Sequence, residues 1–234
     1  MDKHKLFEDI YDSLKKEKVP KVDLHVHTNW TDGENSVLEM HEEACKKSLS
    51  HIFFSEHSRK SSSDWFFEFT KQVNSLPKEK CNSISGTEVK ILDFDGNLDL
   101  RDEFFTECGL VMASVHRFPG ETNEDFKFKK NLDKDKVEKT EFDLMISSLN
   151  NSKVDILGHP FGMTIKRFGY YPDDKLFDEV IKLCAKKDKV FEVNYRYHKN
   201  PKQLIAKCLK HKTKISLGSN AHSKEELGKI LEVI

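Results

Sequence analysis

The sequence has no long uninterrupted apolar run. No stretch of about 20 apolar residues, the length that a membrane-spanning helix needs, occurs in its 234 residues. Its cysteines number five, an odd count with no Cys-x-x-Cys pair, which argues against a disulfide framework. The amino terminus also lacks the apolar segment of a secretion signal. These absences predict a soluble, cytoplasmic protein with reduced thiols.

Excess charge of one sign and low-complexity sequence are also missing. Lys and Arg total 39 against 40 Asp and Glu, so no global field attracts nucleic acid or a membrane. No internal repeat or proline-rich linker divides the chain, and its length suits one α/β barrel. We expect residues 1–20 to form an amphipathic helix that packs on a barrel domain spanning residues 21–234.

Strand-like and helix-like segments alternate along the chain, a pattern typical of a parallel α/β sheet or barrel. Asp95, Gly96 and Asn97 interrupt this alternation and predict a hairpin-like turn within residues 89–100. The predicted strands lie near 21–26, 51–55, 84–91, 109–115, 154–157, 190–194 and 214–218. The predicted helices lie near 2–17, 36–48, 63–75, 133–150, 175–187, 201–211 and 223–232.

Histidines follow the predicted strands at similar positions. His25 and His27 are separated by one residue on a strand, so their side chains point the same way and can bind one ion. Asp32 adds a carboxylate in the next loop, and Glu88 stands at a strand end where its two oxygens could bridge two ions. Because the carboxyl ends of parallel strands meet at one rim, the pattern predicts a metal site there. The other strand-end histidines are His57, His116, His159 and His222.

The ordered motifs of the chain resemble those of the PHP domain family, named for polymerases and histidinol phosphatases. The family pattern runs D-x-H-x-H-T, S-D-G, T-D-H, G-x-E, S-x-H, G-H-P, E-x-N and G-S-D-A-H. The resemblance implies an α/β fold, a distorted (β/α)7 TIM-like barrel with a metal site at the carboxyl ends of its strands. The matching segments are residues 23–28, 31–33, 55–57, 86–88, 114–116, 158–160, 192–194 and 218–222.

The resemblance also implies two or three divalent ions, zinc, manganese or iron, and phosphoester hydrolysis by a metal-activated hydroxide. Glu88 would bridge two ions, and Asn220 would stand beside the reacting water as a catalytic residue. Carried over, the three ligand sets are His25, His27, Glu88 and Asn220; Glu88, His116 and His159; and Asp32, His57 and His222.

Arginines that follow strand ends are candidates for binding substrate phosphate, because the guanidinium group matches two phosphate oxygens. His198 is a candidate substrate contact or acid for the leaving group. The candidate arginines are Arg59, Arg117, Arg167 and Arg196.

Two residues depart from the family pattern. Glu56 replaces an aspartate before His57, and we expect it to support a metal ligand rather than bind metal. Asn220 replaces the aspartate of G-S-D-A-H, and its amide is uncharged and cannot act as a base. Natural divergence, natural loss of catalysis and a deliberate substitution would each explain Asn220.

Three functions remain open. The first is a metal-dependent phosphatase acting on a small phosphomonoester, such as histidinol phosphate, a sugar phosphate or a nucleotide. The second is a nuclease or nucleotide phosphodiesterase, although the balanced charge disfavours nucleic acid. The third is a non-catalytic binding or regulatory module, for which Asn220 is the one positive sign. Metal identity and oligomeric state do not follow from the sequence.

Overall fold

A computed structural model of the chain describes residues 2–122 and 132–234. In this part of the chain, seven parallel strands lie side by side in sequence order. The strands are β1 (Val22–Val26), β2 (His51–Glu56), β3 (Asn82–Lys90), β4 (Leu110–Ser114), β5 (Ile156–Leu157), β6 (Val190–Asn194) and β7 (Ile215–Gly218).

Helices connect the strands and cover the outside of the sheet. None of the helices in the described residues is long and apolar enough to cross a membrane. The helices are α1 (Lys3–Lys15), α2 (Val37–Lys46), α3 (Trp65–Asn74), α4 (Asp102–Glu107), α5 (Lys134–Leu149), α6 (Gly162–Lys166), α7 (Asp174–Lys186) and α8 (Pro201–His211), with a 3-10 helix at Lys229–Glu232.

The first and last strands meet, so the sheet is a nearly closed barrel. Val26 and Ala221 form a parallel bridge just beyond β7. The His27 amide donates to the Ala221 carbonyl at 2.9 Å, and the Ala221 amide donates to the His25 carbonyl at 3.1 Å. The predicted distorted (β/α)7 barrel is therefore confirmed, and its strand ends share one rim.

Helix α1 forms where the apolar spacing predicts it. The Asp2 carboxylate accepts from the His4 and Lys5 amides and caps the first turn. Its buried residues, Leu6, Phe7, Ile10 and Leu14, recur three to four positions apart and define one apolar face. Tyr11 donates to the Leu209 carbonyl of α8 at 3.1 Å, which fixes α1 against the barrel.

The strands are buried on both faces, which is why they read as apolar runs rather than alternating patterns. Phe53 and Phe54, neighbours on β2, are both fully buried although their side chains point to opposite faces. Phe66 of α3 is also buried. This packing on both faces also fixes the position of the polar residues at the carboxyl ends of the strands, where they face the barrel interior.

The carboxyl-terminal segment differs from expectation. The predicted helix over residues 223–232 is wrong, since this segment forms turns that end in the 3-10 helix. Gly228, with φ of +78°, adopts a left-handed conformation that ends any regular helix there. The short helices α4 and α6 were not predicted, because one or two turns leave little periodic signal.

The predicted turn within residues 89–100 is present. Ile91 and Leu98 form an antiparallel bridge. The Asp93 carboxylate accepts hydrogen bonds from the Asp95 and Asn97 amides at 3.0 and 3.1 Å, which closes the turn.

Candidate metal centre

The predicted ligands converge at the carboxyl-terminal rim of the barrel. Each strand except β6 supplies at least one of them, either from its last residues or from the loop that follows. His25 and His27 are completely buried, while Asp32 keeps a half-exposed side chain. The pattern of strand-end histidines thus produces a compact cluster.

Glu88 of β3 lies at the middle of this cluster. Its Oε2 atom is 3.2 Å from His25 Nε2, 3.4 Å from His27 Nε2 and 3.5 Å from His57 Nδ1. Its Oε1 atom is 3.0 Å from His116 Nε2 and 2.6 Å from His159 Nε2. Both carboxylate oxygens therefore face imidazole nitrogens, as the predicted bridging position requires.

Asp32 joins a second group of histidines at the outer side of the cluster. Its Oδ2 atom is 3.5 Å from His57 Nε2 and 3.4 Å from His222 Nε2. The rings of His27 and His222 lie 4.5 Å apart between centroids. Asp32, His57 and His222, one ligand set implied by the family resemblance, are thus adjacent in space.

Three overlapping groups have ligand atoms close enough to bind one ion each. His27 accompanies the Asp32 set, and His57 replaces His159 beside Glu88 and His116. The assignment of ligands to individual ions stays a prediction, because His27 and His57 could serve more than one ion. The groups are His27, Asp32, His57 and His222; His25, His27 and Glu88; and His57, Glu88 and His116.

Glu192 of β6 orients two of the histidines. Its Oε1 atom is 2.7 Å from His25 Nδ1, and its Oε2 atom accepts from the His159 amide at 2.5 Å. His25 therefore donates through Nδ1, which directs its Nε2 atom at Glu88. His159 has an unusual φ of +23°, and its hydrogen bond to Glu192 helps to hold this conformation.

The donor set fits divalent cations. Burial lowers the pKa of His25, but the carboxylates of Glu192 and Glu88 outweigh it and raise the pKa to about 10. Burial and the neighbouring His57 lower the pKa of His27 well below its ordinary value. His27 Nδ1 is also buried without a hydrogen-bond partner. The raised pKa of His25 shows that the carboxylates favour positive charge between the imidazole nitrogens and their own oxygens, and a dication would supply that charge in place of the proton.

Asn220, which the resemblance places among the ligands, borders the cavity above the cluster. It borders the same cavity as Glu88, is 5% exposed, and has a buried Oδ1 atom without a hydrogen-bond partner. Its φ of +52° falls in the left-handed region that asparagine and aspartate tolerate best among residues with side chains. The backbone would therefore accept aspartate at this position without new strain.

Asp23 and Glu56 support the rim without joining the cluster. Asp23 accepts from the Ser219 amide at 2.9 Å and the Gly228 amide at 2.7 Å, and so attaches β1 to the segment after β7. Glu56 Oε1 accepts from the amide and hydroxyl of Thr28, both at 2.7 Å. These contacts attach Glu56 to the loop after β1, and its expected support of a metal ligand stays a prediction.

Gly218 leaves room for the Glu192 and His25 pair. A Cβ atom at this position would overlap Glu192 Oε1 and lie 2.6 Å from His25 Cβ. The glycine of the 218–222 motif is therefore required by close packing rather than by an unusual backbone angle.

A cavity of about 670 Å³ opens above the cluster, within the range of about 300–1,000 Å³ typical of small-molecule sites. Three of the four predicted phosphate-binding arginines, Arg59, Arg117 and Arg167, line it. Arg167 is already paired with Glu121 at 2.7 Å, and both side chains are largely buried.

Arg196 and His198 lie elsewhere. Arg196 does not line this cavity and forms an ion pair with Glu226 at 2.5 Å. His198 is buried; its Nδ1 accepts from the Asn194 amide, and its Nε2 donates to the Pro160 carbonyl. Burial lowers the pKa of His198 to about 4, so the ring is neutral at pH 7. Substrate roles for these two residues stay predictions, without a cavity contact to support them.

Several residues at this site were missed from the sequence. Lys90, Lys166 and Tyr197 line the cavity, and Glu192 orients His25. Strand alternation could have identified Lys90, which lies two residues after Glu88 on β3. No local signal identifies Lys166, because α6 is too short to be recognised.

Comparison with known proteins gives a consistent family. The PHP domain family matches residues 23–196. A protein of Thermoanaerobacter sp. strain X514, named as a probable phosphatase, is 29% identical and covers 91% of this chain and 83% of its own length. The DNA polymerase/3'-5' exonuclease PolX of Bacillus subtilis is 28% identical over 88% of this chain. The chain spans only 35% of that polymerase.

Solved structures share the fold. Histidinol phosphate phosphatase of Lactococcus lactis, complexed with zinc, L-histidinol and phosphate, matches with a TM-score of 0.61 and 19% identity, and the match covers 91% of this chain and 92% of that one. A structure of hisK from Listeria monocytogenes matches with a TM-score of 0.68 and 18% identity, covering 89% of this chain and 98% of that one.

Proposed function

Since this chain belongs to the PHP domain family, we propose that it is a metal-dependent phosphoesterase that hydrolyses a small phosphomonoester. The observation that carries the proposal is the arrangement around Glu88, whose two oxygens face five histidine nitrogens at the floor of the cavity. The relative named as a phosphatase, similar over most of its own length, supports the same reaction class.

The cluster residues would hold two or three ions, with Glu88 shared between them. When bound, such ions polarise phosphoryl oxygens and lower the pKa of a coordinated water, and so supply both electrostatic stabilisation and the nucleophile. Glu192 holds the ring of His25 and the backbone of His159, so both histidines are oriented before any ion is bound.

Cationic side chains would bind the phosphoryl group as its negative charge increases. Arg59 and Arg117 line the cavity beside His57 and His116, the histidines that precede them in sequence. Guanidinium groups donate two parallel hydrogen bonds to phosphate oxygens, which orients the ester over the cluster. Arg167, paired with Glu121, would contribute less charge.

The side chain at position 220 determines how fast we expect the ester to be hydrolysed. Its carbonyl oxygen can contact an ion only weakly, and its amide cannot accept a proton from water. We expect slow turnover in this chain and a rate at least about 100-fold higher in Asn220→Asp, since a positioned base contributes roughly 10²- to 10⁴-fold.

The test is phosphate release from a panel of phosphomonoesters with Mn²⁺ or Zn²⁺, measured on this chain, on Asn220→Asp, and on Asn74→Asp as a matched exposed control. Faster release by the Asn220 variant alone would support the proposal. Silence from all three proteins with every ester would refute phosphomonoester hydrolysis and favour a binding module.

A nuclease or phosphodiesterase is the second candidate, and the PolX relative favours it. The same cluster could act on a nucleotide diester. A single-stranded oligonucleotide and bis-p-nitrophenyl phosphate are therefore added to the panel. They separate the two activities, because a phosphomonoesterase leaves the phosphodiesters of both compounds intact.

A further inference from the structure

The wall of the cavity carries cations from four consecutive strands. Arg59 follows β2, Lys90 ends β3, Arg117 follows β4, and Lys166 ends the helix after β5. Because neighbouring strands in this barrel are consecutive in sequence, the four side chains form a continuous basic arc along one side of the rim.

Not every charge in this arc is available to a ligand. Lys90 lies 3.6 Å from Asp99, so its charge is partly balanced. Lys166 is exposed, and within residues 2–122 and 132–234 it takes part in no ion pair. Its Nζ atom lies 5.7 Å from the centre of the Tyr197 ring, a weakly attractive cation–π distance.

Tyr197 relates Lys166 to the metal centre. The Tyr197 ring stacks on His159 with centroids 4.4 Å apart, and His159 lies 2.6 Å from Glu88. Tyr197 is thus in contact with the candidate ligand His159 and lies near Lys166, and all three line the same cavity. Because Lys166 is not one of the candidate ligands, a phosphate bound over the cluster would leave it available to another part of the substrate.

Within residues 2–122 and 132–234, the negative charge on the cavity wall belongs to the candidate metal centre. Of the described residues that line the cavity, the carboxylates are Asp32 and Glu88, and both belong to the groups that could hold metal. An ammonium group on the substrate would meet cations along the arc, whereas a carboxylate or a second phosphate would meet Lys166.

We propose that the cavity selects phosphate compounds with a second anionic group, and that Lys166 binds that group. The inference rests on the proposed function for the position of the first phosphate. The inference also predicts that histidinol phosphate, which carries an amine in place of a second anion, is a poor ligand for this cavity.

Binding of non-hydrolysable phosphonates tests this without requiring turnover. Methylphosphonate, 3-phosphonopropionate and 2-aminoethylphosphonate share a phosphonate and differ in a neutral, anionic or cationic end. Calorimetric titration of the Mn²⁺-loaded chain should show the anionic compound binding about tenfold more tightly than methylphosphonate, and the cationic compound more weakly.

Variants assign the preference to one side chain. Lys166→Ala should lower the ratio of anionic to neutral affinity by about fivefold or more, and Lys166→Glu should favour 2-aminoethylphosphonate over 3-phosphonopropionate. Lys186→Ala, an exposed lysine at the end of α7, is the matched control and should keep the ratio. Equal affinity for the three phosphonates, or an unchanged ratio in Lys166→Ala, would overturn the inference.

Failure of the proposed function gives a different result. If the chain prefers the anionic phosphonate but cleaves no phosphate ester, the site for a second anion is supported and the proposed hydrolysis is refuted. If esters are cleaved, comparing fructose 1,6-bisphosphate with a 5'-phosphorylated oligonucleotide shows whether the second anion belongs to a small molecule or to a nucleic acid. Either source supports the anionic preference, and equal rates on fructose 6-phosphate and its bisphosphate would count against it.

Discussion

Single residues at the rim divide into those that face the cavity and those that hold them in place. Glu88 faces the centre, while Glu192 acts behind it through His25 and His159. Asn220 belongs to the first group by position, yet its side chain lacks the charge of the aspartate in the family pattern. Substitutions at these positions should therefore separate ligand loss from ligand misorientation.

Glu192→Gln should weaken metal binding about 10- to 100-fold, the usual effect of removing a group that orients a ligand. The amide that replaces a carboxylate oxygen cannot accept from both His25 Nδ1 and the His159 amide. Titration with Mn²⁺ or Zn²⁺ against a competing chelator measures the change. Glu107→Gln, at an exposed position of α4, is the control, and equal affinities in the two variants would contradict the assigned role.

At the scale of helices and strands, buried carboxylates hold short segments against their neighbours, because such segments have little stability of their own. Glu141 of α5 accepts from the amides of Met163 and Thr164 at 3.0 and 2.7 Å, which fixes the five-residue helix α6. Since α6 ends at Lys166, this contact also positions one side of the cavity. A helix this short would not form alone.

Stability should depend on pH through Glu141. Burial raises its pKa from 4.5 to about 7, although hydrogen bonds from Thr164 and Met163 oppose the shift. The protonated form therefore stabilises the fold below pH 4.5, and this contribution is lost as the pH rises through 7. The full change amounts to about 3 kcal/mol.

The measurement is the free energy of unfolding of the metal-free protein by urea from pH 4.5 to 8. Glu141→Gln should remove most of the decrease with rising pH that Glu141 causes, because the amide does not titrate. Glu179→Gln, at an exposed position of α7, should leave the slope as it is. Parallel slopes in Glu141→Gln and the unmodified chain would show that Glu141 is ionised in the fold throughout this range.

For the whole molecule, the first and last strands of the nearly closed barrel meet beside the candidate metal centre. β1 meets the segment after β7 through backbone hydrogen bonds of His25, His27 and Ala221. Candidate ligands also lie on β3 and in the loops after β2, β4 and β5, so bound ions would connect strands around most of the barrel. Metal binding should therefore stabilise the entire fold rather than one loop.

Removal of metal with a chelator should lower Tm by roughly 5–10 °C relative to protein in excess Mn²⁺. This follows from about 2.7 kcal/mol of stabilisation at a ligand concentration of 100 Kd. Differential scanning calorimetry at pH 7 measures the shift. Glu88→Gln, which lacks the shared carboxylate, should show a smaller shift, and identical Tm values of the unmodified chain with and without Mn²⁺ would refute metal binding.

The sequence by itself determined the alternation of strands and helices and the rim that carries the ligands. His25, His27 and Glu88 could be identified because strand alternation fixes side-chain direction locally, whatever packs around it. The helix predicted over residues 223–232 failed because Gly228 and close contacts with β1 override a weak local pattern.

Only the tertiary structure decided which polar groups meet across the barrel. Glu192 and His25 are 167 positions apart, and no local pattern predicts their contact. The pairing of Arg196 with Glu226, the burial of His198 and the exposure of Lys166 in the cavity depend equally on long-range packing. Ligand positions follow from the direction of each strand, whereas the charge available to a substrate depends on which partners the fold brings together.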